Sequence, residues 1–217
     1  MNHPLVRDSQ SQSDDDDGDF DFNAQFEVAY PEMMTTKYLA IDTETTGLKV
    51  RDGTDYCIGI SVAGRNSLLQ GKMFSYYFPV RHSRSNLTPE NQNLLFNYLL
   101  SRGKNNPVIY HNAKFDLFSL NTVGLNMDHV YFYDTVLMAR MINENWNSLK
   151  LNDLSKMLLK NDGKRQSKEW EYYKALWGWS ANFPADVMGD YATGDTELTL
   201  ELFEYLWPYF IKDGFNG

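Results

Sequence analysis

Asp42 and Glu44 stand one residue apart at the end of an apolar stretch, Lys-Tyr-Leu-Ala-Ile-Asp-Thr-Glu-Thr-Thr-Gly-Leu over residues 37–48. In a β-strand, residues i and i+2 project to the same face. The spacing therefore sets two carboxylates side by side, with Leu39 and Ile41 as apolar neighbours along the strand. Adjacent carboxylates repel unless they share a proton or a cation, and hard divalent cations take oxygen ligands. The pair reads as half of a metal site at a strand end. Asp-x-Glu is a short pattern, and taken alone it also describes a solvated strand terminus.

Two further spacings carry chemistry. In His111-Asn-Ala-Lys-Phe-Asp116, Asn112 and Asp116 lie four apart and share a helix face. That helix follows a strand over 107–110, and α/β sheets place ligands at such carboxyl ends. An asparagine cap followed by a surface aspartate is the plainer alternative. In Tyr191-Ala-Thr-Gly-Asp195 the first and last residues again lie four apart, and Leu198 and Leu202 continue their face toward a sheet. An aspartate on a buried helix face is costly unless paired or metal-bound. Gly194 in mid-helix costs about 1 kcal/mol relative to Ala, which points to a close approach there. A surface Tyr and Asp at ordinary spacing is the alternative.

The elements that must position these residues follow from pattern. Strands are expected over 37–43, 57–63 and 74–80, separated by Gly/Asp and Gly/Asn clusters as antiparallel hairpins require. Thr88-Pro89-Glu90 starts a helix with a capping hydroxyl, a proline in the first turn and an acid at the positive dipole end. It runs to about Arg102, with Gly103 as its stop. A strand over 107–110, a helix over 112–122, a strand over 129–133 and a helix over 134–144 follow. Leu149, Leu151, Leu154, Met157 and Leu158 mark another amphipathic helix. A last helix starts near Pro184 and breaks near Pro208. Three antiparallel strands followed by alternating strands and helices describe an α/β fold, a mixed five-stranded sheet flanked by helices.

The chain has 217 residues, 15% aromatic content and one cysteine, Cys57. This fits one domain with a real core, or a domain plus a tail. A single cysteine forms no intramolecular disulfide, which agrees with a reducing compartment. No stretch approaches the ~18 apolar residues of a membrane span, and the N-terminus lacks a signal-peptide core. A cytoplasmic protein is expected, with no membrane partner. The net charge of −9 is unevenly spread: residues 1–37 hold nine acids and two bases, so the remainder stands at −2. That remainder can still present a basic groove. Residues 1–36 are polar and without periodicity, and are expected to be a disordered acidic tail before a domain over 37–217. Within the tail, Asp14-Asp-Asp-Asp-Gly-Asp-Phe-Asp-Phe22 reads as a solvated spacer or as a docking peptide for a basic partner.

Together the three motifs resemble the DEDD superfamily of 3′→5′ exonucleases on the RNase H-like fold. The resemblance is to the proofreading domain of DNA polymerase I-type (family A) enzymes, phage-like. The family's Asp-x-Glu stands here as Asp42-Thr43-Glu44, followed by Thr45 and Leu48. Its second motif stands as Asn112 to Asp116, and its third as Tyr191 to Asp195. Intervening blocks at 78–82, 133–140 and 149–154 are also similar, so the resemblance covers roughly 37–207. The superfamily's histidine branch carries His five residues before the last Asp; that position is Asp190 here, and Tyr191 follows the tyrosine branch. A polymerase of this family continues far beyond its exonuclease, whereas this sequence stops at Gly217. The expectation is an exonuclease that stands alone or joins a separately encoded DNA polymerase.

The resemblance implies two Mg²⁺ ions, with Mn²⁺ able to substitute, held by Asp42, Glu44, Asp116 and Asp195. Tyr191 would orient the attacking water, and Glu44 would also accept from the terminal 3′-hydroxyl. Leu48 would wedge against the terminal base, Asn112 would position the strand, and Thr45 and His111 would lie along it. His111 and His82 read as structural or substrate-contacting rather than metal-binding. The substrate would be a single-stranded DNA 3′ end, in a bacterial or phage-infected cytoplasm. Residues 161–183 are both basic and aromatic (Lys164, Arg165, Lys168, Trp170, Tyr172, Tyr173, Lys174, Trp177, Trp179). Aromatic stacking and cations along a phosphate chain describe a single-strand groove; tryptophans packing a long connection are the alternative. An RNase D-like exoribonuclease shares the tyrosine branch. A non-catalytic scaffold would be expected to have lost carboxylates, and all four are present.

Overall fold

The computed structural model describes residues 20–161 and 167–212. Its five strands are β1 (Leu39–Thr45), β2 (Cys57–Asn66), β3 (Lys72–Pro79), β4 (Val108–Tyr110) and β5 (Phe132–Asp134). They form one mixed sheet in the order β3-β2-β1-β4-β5. The β1–β2 and β2–β3 pairs are antiparallel, and β1–β4 and β4–β5 are parallel. The helices are α1 (Phe22–Thr35), α2 (Pro89–Asn105), α3 (Ala113–Asn121), α4 (Thr135–Ile142), α5 (Leu151–Leu154, continuing into a π-helical turn over Ser155–Leu159), α6 (Lys168–Trp177) and α7 (Ala185–Lys212). The expected α/β architecture is the one found. Among the described residues no helix is long and apolar enough to cross a membrane.

Alternation along β1 sorts its side chains. Leu39 and Ile41 pack with residues of α1, α2 and α3, while Ala40 packs with Phe203 and Leu206 of α7. Asp42 and Glu44 share the parity of Ala40, so they face the α7 side. Leu39 and Ile41 are their neighbours in sequence but not on that face. The β1–β2 register shifts at Glu44/Thr45: Glu44 pairs with Gly59 and Thr45 with Cys57, leaving Ile58 as an extra residue. Such bulges re-aim side chains beside functional sites. Gly59 is required there, because a Cβ would meet the Tyr77 hydroxyl at 1.9 Å.

The expectation of a disordered segment reaching residue 36 fails over its second half. Residues 22–35 form α1, with Asp21 Oδ1 accepting from the Asn23 and Ala24 amides at 3.0 Å. Phe22, Phe26, Ala29 and Met33, spaced 4, 3 and 4, are buried. Phe26 meets Phe78 edge-on with centroids 5.6 Å apart. Phe22, expected in a solvated spacer or a docking peptide, is part of this protein's own core; residues 14–19 of that segment lie outside the described residues. Phe26→Ala is expected to lower the unfolding free energy by about 3–5 kcal/mol. A urea titration showing a loss under 1 kcal/mol would remove α1 from the core.

Two expected helix stops do not act. Gly103 lies inside α2, where a Cβ would meet the Val130 side chain at 2.7 Å; it serves close packing. Pro208 lies inside α7. Trp207 and Phe210 beside it pack on Tyr133, with centroids at 5.0 and 6.4 Å, and hold that turn on the sheet. A bidentate Arg65–Glu204 pair at 2.6 and 2.7 Å also ties β2 to α7.

Candidate active site

Four acids from three elements share one electric field at the carboxyl end of β1. Asp42 and Glu44 come from β1, Asp116 from α3 and Asp195 from α7. Burial pushes Asp42 up to about 7, with Asp195 adding to the effect. Asp195 is raised by burial to about 6. Glu44 is raised by burial and then by Asp42, Asp195 and Asp116. Asp116 is raised by burial and by Asp42. Lys174, on α6, is the cation that opposes this rise at Glu44. Among the described residues no three His, Cys, Asp or Glu side chains stand ready-made to hold an ion.

Each acid is held by its own neighbours. Asp116 Oδ1 accepts from the Thr43 amide at 3.1 Å and the Thr43 hydroxyl at 2.8 Å, so the residue between the two β1 acids fixes the third. On the other face, the Ser61 and Thr196 hydroxyls bond to each other beside Asp42, joining β2 to α7. Tyr191 and Asp195 are one α7 turn apart, and the phenol donates to the carboxylate. Burial and three neighbouring acids hold that phenol well above its ordinary range, so it stays neutral. Its ring packs on Trp170 at 5.0 Å and Trp179 at 6.2 Å. Beneath the cluster, His82 Nδ1 faces the Phe183 carbonyl at 2.8 Å and so carries the proton; Nε2 accepts from the Tyr77 hydroxyl at 2.7 Å. Burial holds His82 down at about 4, a neutral strut rather than a ligand.

The remaining expected residues divide. Leu48 is 85% exposed, projecting from a loop that Asp55 clamps through the Lys49 amide at 2.8 Å and the Thr46 hydroxyl at 3.3 Å. Thr45 is buried and its hydroxyl donates to Gly47 O at 2.7 Å, so it shapes that loop. Asn112 sits just before α3 with φ +71, outside the helix face expected for it; its exposed side chain makes no cap bond. Asn tolerates this left-handed conformation better than most residues. Asp134, not singled out in sequence, holds the turn by accepting from the Asn112, Ala113 and Val136 amides at 3.1, 2.9 and 2.8 Å. His111, expected as structural or substrate-contacting, is half-buried with Nδ1 at 2.8 Å from the Thr135 hydroxyl, and burial lowers it to about 4. Trp170 is 8% exposed and packed on Tyr191, Trp179 and Phe183, so its ring faces are covered and base stacking is closed to them. Lys168 is exposed at the start of α6, and Lys164 and Arg165 lie outside the described residues.

Comparisons with known proteins give the family and the fold. The family described as 3′-5′ exonuclease matches residues 20–210. A DNA polymerase DpoZ of Salmonella phage PMBT28 is 28% identical over 187 residues, which is 81% of this chain and 27% of the phage protein. This chain thus spans about a quarter of that relative's length. Among solved structures, the EXO domain of Aedes aegypti Nibbler matches with TM-score 0.61 and 14% identity, covering 89% of this chain and 88% of that one. Brucella melitensis NrnC with bound Mg²⁺ matches with TM-score 0.57 and 18% identity, covering 83% and 77%. Those two likenesses concern the fold, whereas the family match spans α1 through most of α7 and includes every acid of the cluster. The chain belongs to the 3′-5′ exonuclease family, as a DEDD 3′→5′ exonuclease domain.

Proposed function

We propose that the chain is a metal-dependent 3′→5′ exonuclease that hydrolyses single-stranded DNA ends to 5′-mononucleotides, in proofreading for a DNA polymerase. The observation that carries this is the cluster itself: two buried carboxylates, Glu44 and Asp116, and two half-buried ones, Asp42 and Asp195, converge from three elements, and acid neighbours raise the proton affinity of Asp42, Glu44 and Asp116. A donor set made only of hard oxygens fits divalent cations. Asp42, Glu44, Asp116 and Asp195 would hold two Mg²⁺ ions, with Mn²⁺ as a substitute. When bound, such a pair eases formation of the nucleophile and neutralises charge developing on the phosphate and the leaving oxygen.

The chain's own residues supply the geometry. Tyr191 gives its O–H to Asp195, so its oxygen lone pairs are left to accept from an attacking water. Glu44 accepts from the terminal 3′-hydroxyl, which restricts cleavage to that end. Leu48 meets the last base from its exposed loop, and the Asn112 amide meets the strand. DNA as substrate, and a polymerase as partner, are supported by the phage DNA polymerase relative.

Oligonucleotides of equal sequence in DNA and RNA, labelled at the 5′ end, test this with Mg²⁺, Mn²⁺ or excess chelator. Stepwise shortening of the DNA from its 3′ end, stopped by chelator, is expected. Preference for RNA moves the assignment to the RNase D-like class. Cleavage undiminished in chelator, or starting at the 5′ end, overturns it.

Metal binding also has a pH signature. An acid whose pKa is higher in the folded chain than in the unfolded one binds its proton more tightly when folded, so stability falls as pH rises between the two values. For Asp195 and Asp42 that interval runs from 3.8 to about 6 and about 7. His82 and His111, lowered to about 4, act in the opposite direction below about pH 6.5. The gain in melting temperature on adding Mg²⁺ cancels the histidines and isolates the acids. It is expected to grow from about pH 5 to pH 7, as protons compete less with the ions. A gain independent of pH over that range contradicts the ligand assignment.

A further inference from the structure

Two buried donors on one face of α6 have no acceptor. Trp170 and Lys174 are one helical turn apart. The indole Nε1 of Trp170 and the Nζ of Lys174 are both out of contact with water and without a hydrogen-bond partner. The lysine side chain as a whole is half-buried, but its ammonium is not in solvent. Nζ lies 3.1 Å from the Trp179 ring centroid and 5.9 Å from that of Trp170. Cation–π attraction holds it there, yet aromatic faces accept none of its three N–H bonds in the way an oxygen does. Buried polar groups are normally paired, and each exception calls for an explanation.

The surroundings say which acceptor is missing. Lys174 stands in the field of Glu44, and Trp170 packs on Tyr191, so both donors border the acid cluster. No hydrogen bond joins the ammonium to Glu44. Both donors are shielded from water, so an anionic oxygen seated between α6 and the acids would supply the acceptor they lack.

We propose that Trp170 Nε1 and Lys174 Nζ form a receptor for a non-bridging oxygen of the scissile phosphate, held in place by the Trp179 and Tyr191 rings. The inference rests on the exonuclease reading and adds to it a substrate contact outside the four acids and Tyr191. It also gives Trp170 a use that its packing allows. The ring faces are covered, while the buried indole N–H still lacks an acceptor.

Product inhibition tests it. Hydrolysis leaves the scissile phosphate on the 5′ oxygen of the released nucleotide, so thymidine 5′-monophosphate is the probe and thymidine, lacking the phosphate, is its control. Lys174→Met keeps the aliphatic stem on the indoles and is expected to weaken inhibition by the monophosphate about ten- to hundredfold, with thymidine unchanged. Lys174→Arg restores most of the loss. Trp170→Phe keeps a ring on Tyr191 and is expected to weaken monophosphate inhibition about two- to tenfold. Thermal melts of each variant check the fold. If Lys174→Met weakens both probes equally, the lysine only supports the aromatic cage and the receptor is overturned. If it changes neither while the wild type is inhibited, the receptor is overturned and the exonuclease reading stands. A wild-type protein that neither cleaves DNA nor binds the monophosphate ends the exonuclease reading itself.

Discussion

Asp42→Ala and Asp195→Ala are each expected to slow 3′-end hydrolysis by about 10³-fold or more, while leaving the metal-free protein as stable as wild type or more so. The rate follows from losing a ligand to ions that supply several kcal/mol of transition-state stabilisation, at one factor of ten per ~1.4 kcal/mol. The stability follows from the cluster's own field. Asp42 is raised by burial and by Asp195, so in chelator at neutral pH the pair opposes folding. Removing either acid relieves Glu44, which feels both. Opposite signs for activity and metal-free stability separate a functional cluster from a structural one, since acids that held the fold together would lose both at once. Single-turnover rates and urea titrations in chelator measure the two. Near-wild-type cleavage in either variant contradicts the assignment, and a loss of several kcal/mol in chelator contradicts the electrostatic account.

Most of the cluster was legible in sequence because its spacings are those of regular elements. Asp42 and Glu44 needed only period two, and Tyr191 and Asp195 only i, i+4. What sequence misplaced depends on contacts between distant residues. The strand's parity places Ala40, not Leu39 or Ile41, beside the acids, and the bulge at Ile58 depends on Tyr77 lying over Gly59. Gly103 and Pro208 carry local stop signals that packing against Val130 and Tyr133 overrides. For α1 the signal was present: the spacing of Phe22, Phe26, Ala29 and Met33 is helical, and Asp21 is a capping residue. Aspartates before that stripe drew the whole segment toward the composition of a tail. Thr43 and Asp134 were hidden for another reason. Each acts through oxygens or amides that meet partners 73 and 22 residues away, and no local pattern encodes such a pairing.

Tyr191→Phe is expected to lower the rate about 10²–10⁴-fold with the fold and the metal stoichiometry retained. The ring stays between Trp170 and Trp179, so α6 keeps its seat on α7. Only the hydroxyl is lost, and with it the hydrogen bond that favours the ionised form of Asp195. That carboxyl is then expected to hold its proton to higher pH, and the acid limb of the pH–rate profile should move upward in the variant. A tyrosine acting as a base would behave differently. Its removal would erase an ionisation from the profile. The wild-type phenol is held well above its ordinary value by burial and by Asp195, Glu44 and Asp42, so it has no ionisation to erase at working pH. The comparison of profiles therefore distinguishes orientation from proton abstraction in the same variant. A calorimetric Mn²⁺ titration completes the test: loss of a binding site in Tyr191→Phe would make the phenol part of the ligand set and overturn the positioning role.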